Sequence, residues 1–330
     1  MKPGQTRDVV VIGSSMGGVH TLSALMPQLP ADLPASILIV QHIPEQSPAV
    51  LSEILSGRGP LPAVRAEDGM TLDRGRIYVA PPGRHLILTE AGIRLVFGPR
   101  ENRSRPAIDP LFRTAAVNYR SRVIGVILTG LLGDGAAGLR DVEVCGGVAL
   151  VQSPEDAAYP EMPTRALAAT GSARPVTIDQ LGAVLDGLTR EPAPDPPPVP
   201  AALRAEARLT ERAMNDESWE QLPGDATNFT CPDCRGAMRE ISTDGTHRYR
   251  CRVGHAFTLE GMATAKEEAI EEALWLAMQT LKERTQMLES MARQDRERGR
   301  SDSAENFDER AREARSHAER LGRLVSKVCA

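Results

Sequence analysis

Short runs of consecutive apolar residues recur through the first half of the chain, VVVI at 9–12, SILIV at 36–40, VIGVIL at 123–128 and a further run at 147–151. Unbroken apolar runs bounded by turn residues mark strands buried on both faces of a sheet. Helix-like stretches lie between them at 19–28, 47–56 and 109–119, followed by shorter ones at 164–169 and 178–188. Ser47 and Asp109 stand as caps, with Pro48 and Pro110 at the first helical positions. Strand–helix alternation of this kind predicts an α/β fold, a doubly wound parallel sheet of the Rossmann-like type. Right-handed crossovers then bring successive strand C-termini to one edge. Between 64 and 97 the runs shorten to RIYVAPP, HLILT and IRLVF, separated by Pro-Pro-Gly and Glu-Ala-Gly, which predicts a small β-hairpin insertion walling that edge.

The pattern changes again at EPAPDPPPVP, residues 191–200, which cannot hold a helix or a central strand and reads as a stiff, extended linker. The expected organisation is an α/β domain over 1–190 and a Pro-rich linker with a charged segment over 191–226. A compact Cys/His module over 227–258 and a helical tail over 259–330 follow. In the tail, Ile270, Leu274, Ala277, Leu281, Leu288 and Met291 recur near helical spacing, and a second, more polar helix spans 303–328. A helical hairpin or a self-associating coil is the expected form, the latter allowing a homodimer through the tail.

Composition narrows the functional class. The chain has 330 residues and a net charge of -5, so no basic field points to nucleic acid, and 3% aromatic content removes the stacking platforms of a single-strand binder. No long apolar span or signal-peptide core is visible, which predicts a cytoplasmic protein without membrane insertion. Three of the five cysteines are grouped late, a pattern of metal ligation in a reducing compartment; Cys145 and Cys329 read as inert thiols.

Candidate chemistry begins where the first strand ends. In DVVVIGSSMGG, residues Gly13, Ser15 and Gly17 spell GxSxG, a strand–turn–helix pattern that lifts a serine hydroxyl above a sheet edge. A Gly-rich turn that only packs helix on strand, or cradles a phosphate, is the alternative. The second strand runs into His42, and the third into the loop TGLLGDGAAG, whose sole carboxylate is Asp134. Serine needs a base within hydrogen-bond reach, and the base needs an anion to hold its tautomer. Ser15, His42 and Asp134 supply those three types at neighbouring strand ends, with the Met16 and Gly17 N–H groups as oxyanion-hole candidates. His20 and His85 read as structural or surface residues. The order Ser, His, Asp differs from that of the α/β-hydrolases, which disfavours a lipase-like enzyme.

The runs VVVIGSSMGG, ILIVQHIP, IYVAPPGRHL, RPAIDPLFRTAA, VILTGLLGDGAAGL and QSPEDAAYPEMP resemble, in order, the catalytic domain of the chemotaxis protein-glutamate methylesterases, the CheB type. The resemblance covers 8–188 and implies a triad of Ser15, His42 and Asp134. It also implies hydrolysis of glutamate 5-methyl esters through an acyl-serine, with glutamine deamidation as a second activity and no catalytic cofactor. Two departures from the family pattern stand out: Met16 lies where Thr is usual, and Gly130, Leu131, Leu132 replace Gly-Met-Gly. The implied substrate is a methylated receptor or another sensory signalling protein. Because the first strand begins at once, control by a response regulator in trans is expected. The competing class is a non-catalytic, zinc-bearing interaction protein of a signalling array, built on the esterase fold.

Cys231 and Cys234 enclose Pro-Asp, and Cys251 is followed by His255 after three residues. CxxC with a distant CxxxH supplies four ligands in two short arms, which predicts a closed tetrahedral zinc site of structural kind. The segments FTCPDC and RCRVGH with a following helix also resemble a tail found on some stand-alone methylesterases of this type.

Overall fold

The apolar run at 9–12 forms the heart of β1 (Val9–Ser14), in which all six residues are buried. The computed structural model describes residues 6–212, 224–243 and 246–328; Cys329 and positions 213–223 of the charged segment lie outside the described residues. Around β1 the chain sets β2 (Ser36–Gln41), β3 (Ala63–Arg65), β4 (Arg76–Val79), β7 (Val123–Ile127), β8 (Val148–Gln152) and β9 (Arg174–Val176). The hairpin strands β5 (His85–Thr89) and β6 (Gly92–Val96) intervene. The seven-stranded sheet has the order β3-β4-β2-β1-β7-β8-β9, and every pair in it is parallel.

Helices cover both faces: α1 (Gly18–Leu25), α2 (Leu51–Ser56), α3 (Ile108–Tyr119), α4 (Ala136–Val144), α5 (Glu161–Ala169) and α6 (Ile178–Arg190). Alternate residues of β1 point to opposite faces, as the strand's period of two requires. Val9 and Val11 join a core with Leu111, Phe112 and Leu139 of α3 and α4. Val10 and Ile12 join another with Leu22, Leu25, Leu181 and Leu185 of α1 and α6.

Three local expectations are corrected. RIYV is not part of an insertion: it is β4, a buried strand in parallel register with β2, with Ile37 opposite Ile77. Only β5 and β6 form a separate antiparallel hairpin. The second helix starts at Leu51 rather than at Ser47, because the Ser47 N–H closes a turn onto the Pro44 carbonyl and Val50 becomes the N-cap. Asp109 does not cap α3, whose N-cap is Ala107; it lies within the first turn and its carboxylate receives the Gly135 and Gly138 N–H groups at the start of α4.

Beyond the Pro-rich stretch, α7 (Ala201–Arg212) packs on α3, and the Cys/His segment forms an antiparallel sheet of β10 (Asp225–Thr230), β11 (Ala237–Thr243), β12 (Thr246–Cys251) and β13 (Ala256–Phe257). Six buried charges tie these elements to the α/β core. Arg113 of α3 donates to Glu101 at 2.8 Å and lies 3.3 Å from Glu206 of α7. Arg248 and Arg250 of β12 reach Glu206 and Glu101, each at 2.8 Å, and Arg248 also pairs with Asp141 of α4. Residues Met1–Met262 make one compact unit and Ala263–Ala330 a second.

The second unit contains most of α8 (Leu259–Glu297) and all of α9 (Ser301–Val328). Within it Met278, Leu288 and Ala292 are buried, as are Ala304, Ala311, Ala314 and Ala318. With Thr285 and Asp295, which are also buried, these positions recur at steps of three, four and seven along each helix, the spacing of a seam between two helices of a hairpin. The sequence stripe meets this seam only in part: Leu288 lies in it, whereas Ile270 and Met291 are exposed.

Candidate active site

Ser15 follows β1 directly. Its backbone N–H donates to the Thr129 carbonyl at 3.0 Å, and its carbonyl accepts from Gly18 at 2.9 Å, so the residue is pinned between the end of β7 and the start of α1. Gly17, the N-cap of α1, has φ 78, the left-handed conformation that lets the chain turn from strand to helix in three residues. A Cβ on Gly130 would lie 2.7 Å from that of Ser15, so the TG loop approaches the hydroxyl as closely as it does only with glycine there.

His42 leaves the end of β2, its N–H bound to the Ser14 carbonyl at 3.0 Å. Its Nδ1 lies 3.2 Å from the Ser15 Oγ, and its Nε2 lies 2.7 Å from the Asp134 Oδ2. The ring therefore meets serine through Nδ1 and carboxylate through Nε2, the opposite orientation to the trypsin-like triad but the same division of contacts. In this arrangement the Ser15 hydroxyl donates to Nδ1 and the Nε2–H donates to Asp134.

Asp134 is 2% exposed and is held by several donors. Ile108 N–H reaches Oδ2 at 2.7 Å, while Asn102 Nδ2 and Asp109 N–H reach Oδ1 at 2.9 and 3.3 Å. Burial pushes its acidity toward the neutral form, but the hydrogen bond and charge of His42, with the Ile108 and Asn102 donors, outweigh burial and hold its pKa below the ordinary aspartate value. Asp109 beside it shows the opposite balance. Burial first, and the Asp134 charge second, raise its pKa to about 7.

Ser15 and His42 open on a cavity of about 900 Å³ whose walls include Met16, Val19, His20, Ile43, Ile54 and Arg58. No residue of the β5–β6 hairpin lines it, contrary to the expectation that the hairpin walls the site. His85 is buried in the hairpin instead, accepting the Ala107 N–H at Nδ1 and donating from Nε2 to the Pro99 carbonyl. Among the described residues, the Met16 and Gly17 N–H groups have no acceptor, which leaves two backbone donors beside Ser15 at the start of α1. Leu132, where the family pattern has glycine, has φ 64, so the loop keeps the left-handed turn that glycine serves.

A family model described as CheB methylesterase matches residues 10–185, more than half of the chain. The chain belongs to the CheB methylesterase family. The protein-glutamate methylesterase/protein-glutamine glutaminase 2 of Anaeromyxobacter dehalogenans is 40% identical over 183 residues, 56% of this chain and 54% of that protein. The enzyme of that name numbered 3 in Geobacter metallireducens is 36% identical over 180 residues, 53% of this chain and 50% of its own length. This chain thus spans about half the length of these curated relatives. The crystal structure of the Thermotoga maritima CheB methylesterase catalytic domain superposes with a TM-score of 0.52 at 33% identity, covering 55% of this chain and 98% of that one. The parallel sheet and its flanking helices are therefore those of a CheB catalytic domain.

Sequence reasoning did not single out three residues of this CheB-type site. Gln41, buried between the strand ends, accepts from Ser14 Oγ at 2.7 Å and donates to the Ser15 and His42 carbonyls at 2.7 and 3.0 Å, fixing the backbone of both. Asn102 holds Asp134, as above. Arg58 stands on the cavity wall. Only Gln41 had a visible signal, its place immediately before His42.

The Cys/His cluster lies elsewhere, in two tight turns. Cys231 and Cys234 occupy the β10–β11 turn, closed by Cys231 N–H to the Gly236 carbonyl at 2.8 Å. Cys251 and His255 occupy the β12–β13 turn, closed by Cys251 N–H to the His255 carbonyl at 3.0 Å. The three Sγ atoms and an imidazole nitrogen lie within 4.8 Å of one another, and the cysteines are free thiols. Cys234 and Cys251 Sγ are 3.5 Å apart, and His255 Nδ1 is 3.5 Å from Cys251 Sγ. These spacings match the edges of a small tetrahedron, and this donor set fits a zinc ion. Asp233 Oδ2 stands 3.8 Å from His255 Nε2, the ring nitrogen that does not face the sulfurs.

Proposed function

We propose that the chain is a serine esterase that hydrolyses glutamate 5-methyl esters of a sensory signalling protein, with Ser15, His42 and Asp134 as its catalytic residues. The observation that carries this reading is the unbroken hydrogen-bond line from Ser15 Oγ through His42 to Asp134 at the mouth of an open cavity. As the Ser15 oxygen attacks the ester carbonyl, its proton passes to His42 Nδ1. Asp134 keeps the Nε2–H in place and stabilises the imidazolium that forms. The carbonyl oxygen becomes an anion, stabilised by the Met16 and Gly17 N–H groups. Collapse breaks the ester C–O bond, His42 returns the proton to the leaving methoxide, and methanol departs. Water, deprotonated by His42, then cleaves the acyl-serine to glutamate and free Ser15. A glutamine side chain follows the same course with ammonia as leaving group.

The apolar walls at Met16, Val19, Ile43 and Ile54 suit the methylene stem and methyl group of the ester, and the Arg58 charge suits an acidic helix carrying it. We further propose that the Cys/His module holds one structural zinc and that the tail pairs with a second copy. A response regulator acting in trans is the proposed means of control. No helix among the described residues is long and apolar enough to cross a membrane, and the free thiols accord with the reducing cytoplasm, where we place the protein.

The deciding experiment is methanol release from methylated receptor fragments by wild type and Ser15→Ala. The expected loss is about 10³-fold or more, the scale on which removing a triad nucleophile acts. Equal rates for the two proteins would overturn the reading, and an unreactive Ser15 toward a fluorophosphonate probe would favour the non-catalytic alternative.

A further inference from the structure

Asn102 sits in the loop between β6 and α3, outside the cavity, and every polar group of its side chain is used. Its Nδ2 donates to Asp134 Oδ1 at 2.9 Å and to Asp109 Oδ2 at 3.0 Å. Its Oδ1 accepts the Thr258 N–H at 3.1 Å, and its own N–H donates to the Ala256 carbonyl at 2.8 Å. One face of Asn102 thus holds the carboxylate behind His42, and the other is held by the backbone at β13. Its φ of 46 is left-handed, a conformation that asparagine tolerates better than most residues.

The strand that grips Asn102 emerges directly from the turn carrying two of the four cluster ligands. Gly254 N–H bonds to the Cys251 carbonyl at 2.9 Å and Cys251 N–H to that of His255 at 3.0 Å, so the ligand turn sets where Ala256 begins. Glu101, next to Asn102, bridges to Ala256 in parallel and receives Arg250 of β12 at 2.8 Å. The attachment is accordingly double, through backbone at Asn102 and through a buried ion pair at Glu101.

We infer that the Cys/His module is a positioning element for the triad, acting through Asn102, which transmits the placement of β13 to Asp134. The inference rests on the esterase reading for its catalytic consequence, but the contact it invokes is independent of any substrate. Metal bound by Cys231, Cys234, Cys251 and His255 fixes the β12–β13 turn. Fixing that turn fixes Asn102 and with it the carboxylate oxygen not used by His42. Orientation of a hydrogen-bonded carboxylate by an outer donor is the role such partners play behind a histidine.

The test uses the full chain with ¹⁵N-labelled histidine, following the downfield proton of the His42 Nε2–H bound to Asp134. Asn102→Gly removes the amide without backbone strain, and Asn102→Asp keeps the oxygen that accepts from Thr258 while setting a carboxylate against Asp109 and Asp134. Both variants are expected to shift or broaden the His42 signal and to lower kcat at least tenfold. KM should change less than twofold, because Asn102 does not line the cavity. Removing metal with a chelator is expected to move the same signal in wild type and to leave Asn102→Gly unmoved. An unchanged signal and kcat in Asn102→Gly, or a wild-type signal indifferent to chelation, overturns the inference; should Asn102→Gly not fold, Asn102→Asp and the chelation arm decide it alone. If Ser15-dependent methanol release is absent while the His42 signal still responds, the esterase reading fails and the positioning contact stands.

Discussion

Asp109 and Asp134 are buried carboxylates in contact through the Asp109 backbone N–H, and they divide their protonation unequally. His42 and the surrounding donors keep Asp134 charged, while burial and that neighbouring charge raise Asp109 to about 7. Asp141, buried under Arg248, is raised to about 6, burial again being the larger cause. A carboxyl raised in the folded state holds a proton that the unfolded chain has released, so between about pH 4 and pH 7 stability falls as pH rises. Glu206, lowered to about 2 because Arg248, Arg113 and Arg250 outweigh its burial, acts in the other direction and withdraws its support only below about pH 4.5. His85, lowered by its burial, opposes these two carboxyls below about pH 6.5 but is one group against two, so the unfolding free energy measured from pH 4 to pH 8 is expected to decline toward neutrality. Asp109→Asn, which keeps an oxygen for the Gly138 N–H, should flatten that decline by up to about 1.4 kcal/mol per pH unit. A decline of undiminished slope in the variant would remove Asp109 as its source.

Elements place these residues, and here the readable and unreadable parts of the chain separate. The strand runs at 9–12, 36–40 and 123–128 were legible because unbroken burial leaves an unbroken apolar signature, and the three strand ends delivered Ser15, His42 and the Asp134 loop to one edge. The place of β4 between β3 and β2 was not legible, since a four-residue strand between Pro-Pro-Gly and a turn has the same signature in a hairpin as in a parallel sheet. Asp109 was misplaced for a similar reason: a capping residue is visible by type, but the helix that it caps is chosen in space. Arg113, Arg248, Arg250, Glu101, Glu206 and Asp141 share no spacing or motif in the sequence, yet they form the buried cluster that holds the Cys/His module to the α/β core. For that module, freshly purified protein is expected to contain about one equivalent of zinc by metal analysis, in keeping with a single closed four-ligand site. Protein free of zinc, with its thiols still reduced, would refute the four-ligand assignment.

At the scale of the whole molecule, the tail carries the apolar surface that the hairpin does not use. Ile270, Trp275 and Leu276 of α8 are 54, 50 and 66% exposed, and they fall outside the seam through Met278 and Leu288. Apolar side chains grouped on one stretch of helix find a partner more readily than they stay solvated. Sedimentation of the full chain is expected to give a dimer at micromolar concentration, and Trp275→Glu a monomer; a wild-type monomer throughout would dismiss pairing through the tail. By itself the sequence determined the parallel α/β fold, the family, the three residue types at the strand ends and the two-arm Cys/His set, because each depends on local pattern or spacing. Only the tertiary structure decided that His42 faces Ser15 through Nδ1, that Gln41 and Asn102 support the line, and that a module more than two hundred residues from Ser15 reaches Asp134. Those contacts join residues distant along the chain through single hydrogen bonds, and a single hydrogen bond leaves no periodicity in a sequence.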